Sequence, residues 1–335
     1  MKNTIPFFVI ICLLLWLSAC HSESGKQTSD PVSVIFDTDM GPDYDDAGAL
    51  TLLHALADSG EVKILATVSC NLDTLATPCI DVINTYFGRP EIPIGAPKSS
   101  GVNIGDHWHA EKWTEALVSN YPHTLKTTVD APDAVSIYRR ILASEADSSV
   151  VVVTVGFLTN LAGLLSSAPD EYSPLDGKQL VSKKVKRLVS MAGGFPSGRE
   201  WNVFCDSVAS KLAFEEWPTP ILFSGFEIGN KILTGKRLVA SDIDETPAKT
   251  VFTICLRQAD FDGRMSWDEA TALVAVRGAD RYFNTTKGRI IVNPDGSNSW
   301  ENTPDGQHEY LTWKMPADEL AQVIEDLMMH EKVKK

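Results

Sequence analysis

The chain has 335 residues, of which 44 are acidic and 30 are basic, so its formal net charge at pH 7 is −14. Nucleic acids and anionic membrane surfaces bind clustered Lys and Arg, and this charge therefore argues against both as partners. A small substrate or a cation fits the charge better.

The first 20 residues have the composition of a secretion signal. Lys2 precedes an apolar stretch at residues 5–19, which is shorter than the roughly 20 residues that a helix needs to cross a bilayer. The stretch ends in Leu-Ser-Ala followed by Cys20. This sequence resembles the lipobox of bacterial lipoproteins, which implies a signal peptide at residues 1–20, a lipid anchor on Cys20 and a place in the bacterial cell envelope, at the periplasmic side or outer membrane. An ordinary cleaved signal with an incidental Cys is the alternative.

The remainder of the chain divides into a short tether and one long segment. Residues 21–31 are polar without apolar periodicity, which predicts a flexible tether. Residues 32–335 are enough for one large α/β domain, and neither a linker nor an internal repeat divides them. Their cysteines lack the spacing of a metal site and are core thiols or form an opportunistic bridge; they are Cys70, Cys79, Cys205 and Cys255.

Apolar runs and helix-like stretches alternate along this segment. Residues 32–36 form the first apolar run, which an acidic loop and a helix-like stretch at 47–57 follow; residues 62–69 and 78–87 repeat the pattern. Later apolar runs lie at residues 150–155, 185–191 and 220–223. Such β-branched runs are typical of strands buried on both faces. The alternation predicts an α/β fold with a mostly parallel central sheet, helices on both faces, and ligands beyond the carboxyl ends of the strands.

The acidic loop after the first run is the sharpest signal. Residues 37–46 read DTDMGPDYDD, which places five carboxylates within ten residues. Their repulsion is costly unless a cation or hydrogen-bond donors offset it, and calcium, with roughly six to eight oxygen ligands, tolerates irregular sites. An EF-hand is a poor match, because the twelfth residue from Asp37 is Gly48 instead of Glu. A solvated acidic loop that favours the next helix's positive end is the alternative.

These ten residues and the following Ala-Gly-Ala-Leu resemble the amino-terminal signature of the inosine/uridine-preferring nucleoside hydrolase family, in a variant with two more residues before the Asp pair. The longer loop leaves the role of Asp43 open. Further matching segments follow in the family's order: Asn71, Gly156 to Leu161, Met191 to Gly194, Glu200 to Asp206, and Ser266 to Glu269. The resemblance therefore implies the family's Rossmann-like α/β fold.

The resemblance also implies an activity and a site. Water would hydrolyse the N-glycosidic bond of ribonucleosides or related ribosides, with Asp39 as the general base. Calcium would be bound by Asp39, Asp46, Asp268 and the main-chain carbonyl of Thr159. The substrate would contact Asp45, Asn71, Glu200, Asn202 and Trp267, whose ring can stack on a base. Family members are often dimers or tetramers, so a homo-oligomer is compatible with the resemblance.

Several of these residues also have a purely structural interpretation. Asn71 is typical of a turn, and Thr159-Asn160 of a helix start. Ser266 and Glu269 match a capping box, and Asp268 would then merely favour the dipole of the helix that follows. The sequence leaves these alternatives open.

The sequence departs from the family at Trp267. Many purine-active members have His immediately before the last metal-binding Asp, as the acid that protonates the leaving base. Indole cannot donate a proton at neutral pH, so another acid is needed. His308 is the obvious candidate in the carboxyl-terminal stretch, although a lone His is more often structural.

Two other functions stay open. A non-catalytic, calcium-dependent nucleoside- or sugar-binding lipoprotein would keep the same ligands without turnover; the missing His favours it, and Asp39 disfavours it. A haloacid dehalogenase-type phosphatase also begins with an apolar strand and Asp-x-Asp, but that family expects Thr or Val where this chain has Gly41.

Overall fold

The computed structural model describes residues 30–98 and 100–333. The signal peptide predicted for residues 1–20 and most of the tether predicted for residues 21–31 lie outside this part of the chain. Within the described ranges, no helix is long and apolar enough to cross a membrane. The described residues from Pro31 onward group into one compact unit.

Ten strands form one large sheet, in the order β3-β2-β1-β4-β5-β7-β12-β10-β11-β6, and two further strands pair separately. The strands are β1 (Val32–Thr38), β2 (Val62–Ser69), β3 (Ile94–Gly95), β4 (Val150–Thr154), β5 (Val185–Met191), β6 (Ser197–Gly198), β7 (Ile221–Ser224), β8 (Leu233–Thr234), β9 (Arg264–Met265), β10 (Phe283–Val292), β11 (Asn298–Glu301) and β12 (His308–Trp313). From β3 to β12 in this order the strands run parallel, whereas β10, β11 and β6 pair antiparallel.

Helices connect most of the parallel strands. They are α1 (Asp45–Asp58), α2 (Ala76–Tyr86), α3 (Trp113–Asn120), α4 (Ala134–Ser144), α5 (Thr159–Leu165), α6 (Gly177–Lys184), α7 (Trp201–Cys205), α8 (Ser207–Glu216), α9 (Phe226–Gly229), α10 (Lys236–Ala240), α11 (Pro247–Leu256), α12 (Trp267–Arg277) and α13 (Ala317–Met328). A short 3-10 helix lies at Thr128–Asp130.

The predicted mostly parallel sheet with helices on both faces is confirmed. Along β1, Val34 and Phe36 join one hydrophobic core and Ile35 joins the other. Helices α1, α2, α11, α12 and α13 cover the first core, and α4, α5, α6 and α8 cover the second. All five residues of β4 are buried, because each face of a central strand needs its own apolar side chains.

Two local details answer questions that the sequence left open. The capping box predicted at the start of α12 is wrong: the hydroxyl of Ser266 pairs with that of Thr234 at 2.6 Å, and neither carboxylate oxygen of the buried Glu269 has a hydrogen-bond partner. Helix α12 packs along α1, and this contact keeps Glu269 in the interior. The four cysteines after the signal segment are free thiols.

Candidate active site

The site lies where the order of the strands reverses. β1 pairs with β2 on one side and with β4 on the other, so the loops after β1 and β4 diverge and leave a crevice beyond their carboxyl ends. Asp39 follows β1, and Gly156 follows β4. A Cβ added to Gly156 would come within 2.6 Å of the Asp39 backbone and side chain, so glycine permits this close approach.

A cavity of about 350 Å³ opens at this crevice. Its size is in the range of small-molecule sites. Its polar lining includes Asp39, Asp43, Asp45, His109, Glu200, Asn202, Asp260, Arg264 and Asp268, and its aromatic lining includes Trp108, Trp201, Phe226 and Trp267. The structure thus brings most of the predicted site residues to one cavity, with polar and aromatic side chains side by side.

Three of the predicted metal ligands are each buried and lack a salt-bridge partner among the described residues: Asp39, Asp46 and Asp268. We call them the unpaired carboxylates. Burial, together with neighbouring carboxylates, raises the pKa of each well above its ordinary value. The hydroxyl of Thr38 donates to one oxygen of Asp46, and the other oxygen is buried without a partner. Such an oxygen suits a bound cation.

Two further carboxylates of the loop do have a cationic partner. Arg264, in β9, donates through Nε and Nη2 to one oxygen of Asp45, at 3.0 and 2.6 Å, and through Nη2 to Asp43 at 2.5 Å. We call these three residues the arginine clamp. Burial raises the pKa of Asp45 to about 6, and Arg264 opposes that rise. The clamp assigns a partner to Asp43, whose role the sequence left open.

The acidic loop brings three carboxylates close enough together to hold a metal ion. Oxygen atoms of Asp43, Asp45 and Asp46 lie within 4.8 Å of one another. Arg264 already offsets the charge of Asp43 and Asp45, whereas Asp46 has no salt-bridge partner among the described residues. Asp39 and Asp268 are not part of this close group, so their metal bonds stay predictions. The donor set there consists of hard oxygen atoms, which suit calcium or magnesium.

Thr159 and Asn160, at the start of α5, have side-chain partners of their own. Thr159 donates its hydroxyl to Asp206 at 2.6 Å, and Leu158, not Thr159, occupies the N-cap position. The amide of Asn160 donates to both oxygens of Asp37, at 3.1 and 3.2 Å. A metal bond from the Thr159 main-chain carbonyl stays a prediction.

Glu200 and Asn202 are held beside the cavity by the start of α7. Glu200 caps that helix and accepts the backbone N–H groups of Gly193, Asn202 and Val203 at 3.1, 2.7 and 3.2 Å. Burial nevertheless raises its pKa to about 7. The Asn202 amide donates to the carbonyl of Val155 at 3.0 Å, so this loop is fixed against the end of β4.

The side-chain amide of Asn71 is committed to the backbone. It donates to the carbonyls of Asp39 and Ile104, at 3.0 and 2.7 Å, and accepts the N–H groups of Asp73 and Ile104. Asn71 is fully buried and is not among the residues that line the cavity. Its predicted contact with the sugar therefore stays a prediction. Through these hydrogen bonds, Asn71 links the loop that contains Asp39 to the loop that contains Ile104.

Trp267 and Phe226 together form an aromatic surface of the cavity, which we call the aromatic wall. Its indole N–H donates to the carbonyl of Phe226 at 2.8 Å, and the two rings lie 5.3 Å apart at 31°. The guanidinium of Arg264 lies 5.2 Å from the Trp267 ring. The wall offers a flat surface on which an aromatic leaving group can stack. The indole N–H of Trp267 already donates to Phe226 and is not free to bind that group.

His308, the acid candidate of the sequence, lies elsewhere. It begins β12 and pairs in register with Ile221, the first residue of the parallel strand β7, so it is at the amino edge of the sheet. Its Nδ1 accepts the N–H of Ile290 at 3.3 Å, and burial lowers its pKa to about 4. The suggestion that His308 protonates the leaving group is therefore wrong.

Comparisons with known proteins agree with this geometry. The family model described as inosine-uridine preferring nucleoside hydrolase matches residues 34–325. The inosine-uridine preferring nucleoside hydrolase of Leishmania major is 27% identical over 195 residues, which cover 56% of this chain and 58% of that relative. A pyrimidine-specific ribonucleoside hydrolase of Klebsiella pneumoniae is 29% identical over 208 residues, or 58% of this chain and 60% of the relative.

The chain thus spans about three fifths of the length of these two relatives. Among solved structures, a plant nucleoside hydrolase superposes with a TM-score of 0.66 at 22% identity, over 89% of this chain and 99% of that one. This likeness shows that the fold is shared.

Proposed function

Because the chain belongs to the inosine-uridine preferring nucleoside hydrolase family, we propose that it hydrolyses the N-glycosidic bond of ribonucleosides or related ribosides. One observation carries the proposal: Asp39, Asn202 and Asp268, far apart in sequence, line one cavity beside an aromatic wall. The polar groups of the lining suit sugar hydroxyls, and its aromatic rings suit a base. The family membership leaves the phosphatase alternative without support.

Calcium is the cofactor of this proposal. Asp39, Asp46, Asp268 and the main-chain carbonyl of Thr159 would hold it, and the partnerless buried oxygen of Asp46 supports the fit. A bound calcium ion would lower the pKa of a coordinated water molecule and offset the buried negative charge. Hard oxygen ligands in an irregular arrangement favour calcium over magnesium, which demands stricter octahedral geometry.

Asp39 is the general base of the proposal. It lies at the end of β1 on the floor of the crevice, and Gly156 leaves room beside it. Burial and neighbouring carboxylates raise the pKa of Asp39 in the metal-free domain, and a bound calcium ion would favour the ionised form, which can accept a proton from water. Asp39 directly follows β1 and lines the cavity, where it could contact a water molecule beside a bound sugar.

Glu200, Asn202 and Asp45 would fix the sugar, and Trp267 would stack on the base. Backbone hydrogen bonds orient Glu200, and the arginine clamp orients Asp45. Such preorganisation favours a productive approach of water to the anomeric carbon. Asn71 enters the proposal as a residue that positions Asp39 through the backbone.

An activity assay tests the proposal. The domain from Val32 onward is incubated with a panel of nucleosides and with 4-nitrophenyl riboside, and released sugar or nitrophenol is measured with calcium and with chelator. We expect turnover that calcium supports and chelator abolishes. Calcium-dependent binding of nucleosides without turnover of any substrate would instead favour the non-catalytic binding protein.

Attachment to the cell envelope is a separate proposal. The sequence that ends at Cys20 supports a lipid anchor there, which would place the domain at the surface of a membrane. The intact protein should fractionate with membranes, and Cys20→Ser should release it. Mass spectrometry that finds an unmodified amino terminus at another residue would refute the anchor. A homo-oligomer likewise stays a proposal, which light scattering tests.

A further inference from the structure

A buried histidine–carboxylate pair, His109 and Asp106, lies at the cavity. Nδ1 of His109 lies 2.8 Å from an oxygen of Asp106, and the side chains are 3% and 1% exposed. His109 is the only histidine among the described residues that line the cavity. The pair belongs to the loop between β3 and α3, which has no helical or strand periodicity.

The surroundings hold this pair in one arrangement. Asp106 also accepts the backbone N–H groups of His109 and Trp113, at 3.2 and 3.3 Å. Trp113 is fully buried and begins α3, so it anchors Asp106 to the core. On another side, the ring of Tyr44 meets the imidazole edge to face, with centroids 5.6 Å apart. The imidazole therefore has little freedom to rotate, as a preorganised group requires.

The hydrogen bond to Asp106 assigns the tautomer of His109. A carboxylate accepts, so Nδ1 carries a proton, and a second proton on the ring can only lie on Nε2. No hydrogen bond to Nε2 exists within the described part of the chain, and this nitrogen is not among the buried atoms that lack a partner. Nε2 is therefore available to a ligand in the cavity.

The proposed reaction needs a proton donor that Trp267 cannot supply. A natural base is a poor leaving group unless it is protonated, and general acid catalysis contributes about 10² to 10⁴ in rate. Trp267 donates its N–H to Phe226, and His308 lies at the opposite edge of the sheet. Glu200 lines the cavity but already accepts three backbone N–H groups.

We propose that His109, positioned by Asp106, is the acid that protonates the leaving base; this inference rests on the hydrolase activity proposed above. As the C–N bond breaks, its electron pair goes to the base, and a nitrogen of the base takes the Nε2 proton of His109. Water bonds to the anomeric carbon and gives one proton to Asp39. Solvent then reprotonates His109 and takes the proton from Asp39, so the sum is riboside plus water giving sugar plus neutral base.

Substrates with different leaving groups test this role. Nitrophenolate leaves without a proton, so His109→Gln should lower kcat for the best natural nucleoside by about 10² to 10⁴ and change kcat for 4-nitrophenyl riboside by less than about threefold. Asp106→Asn, which removes only the positioning carboxylate, should give a smaller loss with the same selectivity and an unchanged KM. Added imidazole should partly restore nucleoside turnover in His109→Ala. His107→Gln, an exposed histidine of the same loop, is the matched control and should leave both rates unchanged.

The possible results separate the two proposals. Equal losses on both substrates, or no loss on the nucleoside, would overturn the acid role of His109 and leave the hydrolase intact. Wild-type turnover of the nitrophenyl riboside but of no natural nucleoside would also overturn that role, because it means that no effective acid is present. Wild-type protein that cleaves neither substrate in calcium would overturn the hydrolase proposal and the acid with it. If the melting temperature of His109→Gln differs from that of the wild type, His109→Asn is compared on the same two substrates instead.

Discussion

Asp45 and Asp46 are neighbours in the chain and both are buried, yet only Asp45 has a salt-bridge partner within the described residues. The pKa of Asp45 rises only to about 6 because Arg264 opposes the effect of burial, whereas the pKa of Asp46 rises well above its ordinary value. The arginine clamp thus carries its own cation, whereas no side chain within the described residues forms a salt bridge with the unpaired carboxylates. A single acidic loop can combine a structural ion pair with carboxylates that are available to a proposed metal ion.

The largest expected effect is on the unpaired side. Asp39→Asn removes the proposed base and one ligand charge, so kcat for 4-nitrophenyl riboside should fall by roughly 10⁴-fold or more, at or beyond the upper end of general base catalysis. Steady-state rates in saturating calcium measure this. Asp262→Asn, an exposed carboxylate with the same charge change, is the control. Retention of more than about a hundredth of the rate would remove Asp39 from the role of base.

Loss of Arg264 from the arginine clamp should lower the free energy of unfolding. Arg264→Met leaves Asp45 buried without its partner, and breaking a buried ion pair in this way costs about 3 to 5 kcal/mol. Urea unfolding of the calcium-free domain measures the loss, and Arg257→Met, at a half-exposed ion pair, should cost far less. Adding Asp45→Asn to Arg264→Met should recover part of the stability. An additive double variant would show that the two side chains do not interact.

The pH dependence of stability separates the two groups by size, because the pKa of Asp45 is also raised, but only to about 6. Each unpaired carboxylate has a raised pKa in the folded protein, so the folded state binds protons more tightly than the unfolded chain. Without metal, the stability that these three groups contribute is therefore fully present below about pH 4 and is lost as the pH rises through their folded-state pKa values. Calcium should flatten this fall, because it binds the ionised carboxylates. A melting curve with chelator that is as flat between pH 5 and pH 8 as the curve with calcium would contradict this.

A substitution that removes the charge of Asp268 also tests whether calcium offsets the repulsion among the unpaired carboxylates. In chelator at pH 7, Asp268→Asn should raise the melting temperature by roughly 1 to 4 °C, because it removes a source of repulsion. In excess calcium the same substitution should lower it relative to wild type, because a ligand is lost. Asp262→Asn should show no such reversal. A decrease under both conditions would mean that Asp268 stabilises the fold without a metal.

The smallest effect is expected at the aromatic wall. Trp267→His loses stacking worth about 0.5 to 1.5 kcal/mol, so KM for nucleosides should rise roughly two- to tenfold while kcat changes little. Initial rates over a range of nucleoside concentrations separate the two constants. If this variant instead gained a large kcat on purine nucleosides, an acid at position 267 would be what the wild-type protein lacks.

The sequence predicted the parts of the molecule that local chemistry determines. Valine-rich runs such as Val150–Thr154 indicate a strand with two buried faces, and crowded aspartates indicate a charge problem. The sequence did not identify Arg264 as the residue that offsets the charge of Asp43 and Asp45. Arg264 is 219 residues from Asp45, so no local sequence pattern links the two. His109 was missed for a similar reason: a loop histidine has no periodicity, and its partner becomes evident only when both are buried. His308 misled because the direction of β12 decides which edge of the sheet it occupies.

The hydrogen bonds of Asn71 affect the relative positions of the two loops that they connect. One amide binds the carbonyl of Asp39, which is proposed to act on the water, and the carbonyl of Ile104, in the loop that leads to His109. The two ends of the proposed reaction thus share a single reference point in the chain. Because one side chain is hydrogen-bonded to both segments, it limits how far the proposed base and the loop that carries the proposed acid can move relative to each other.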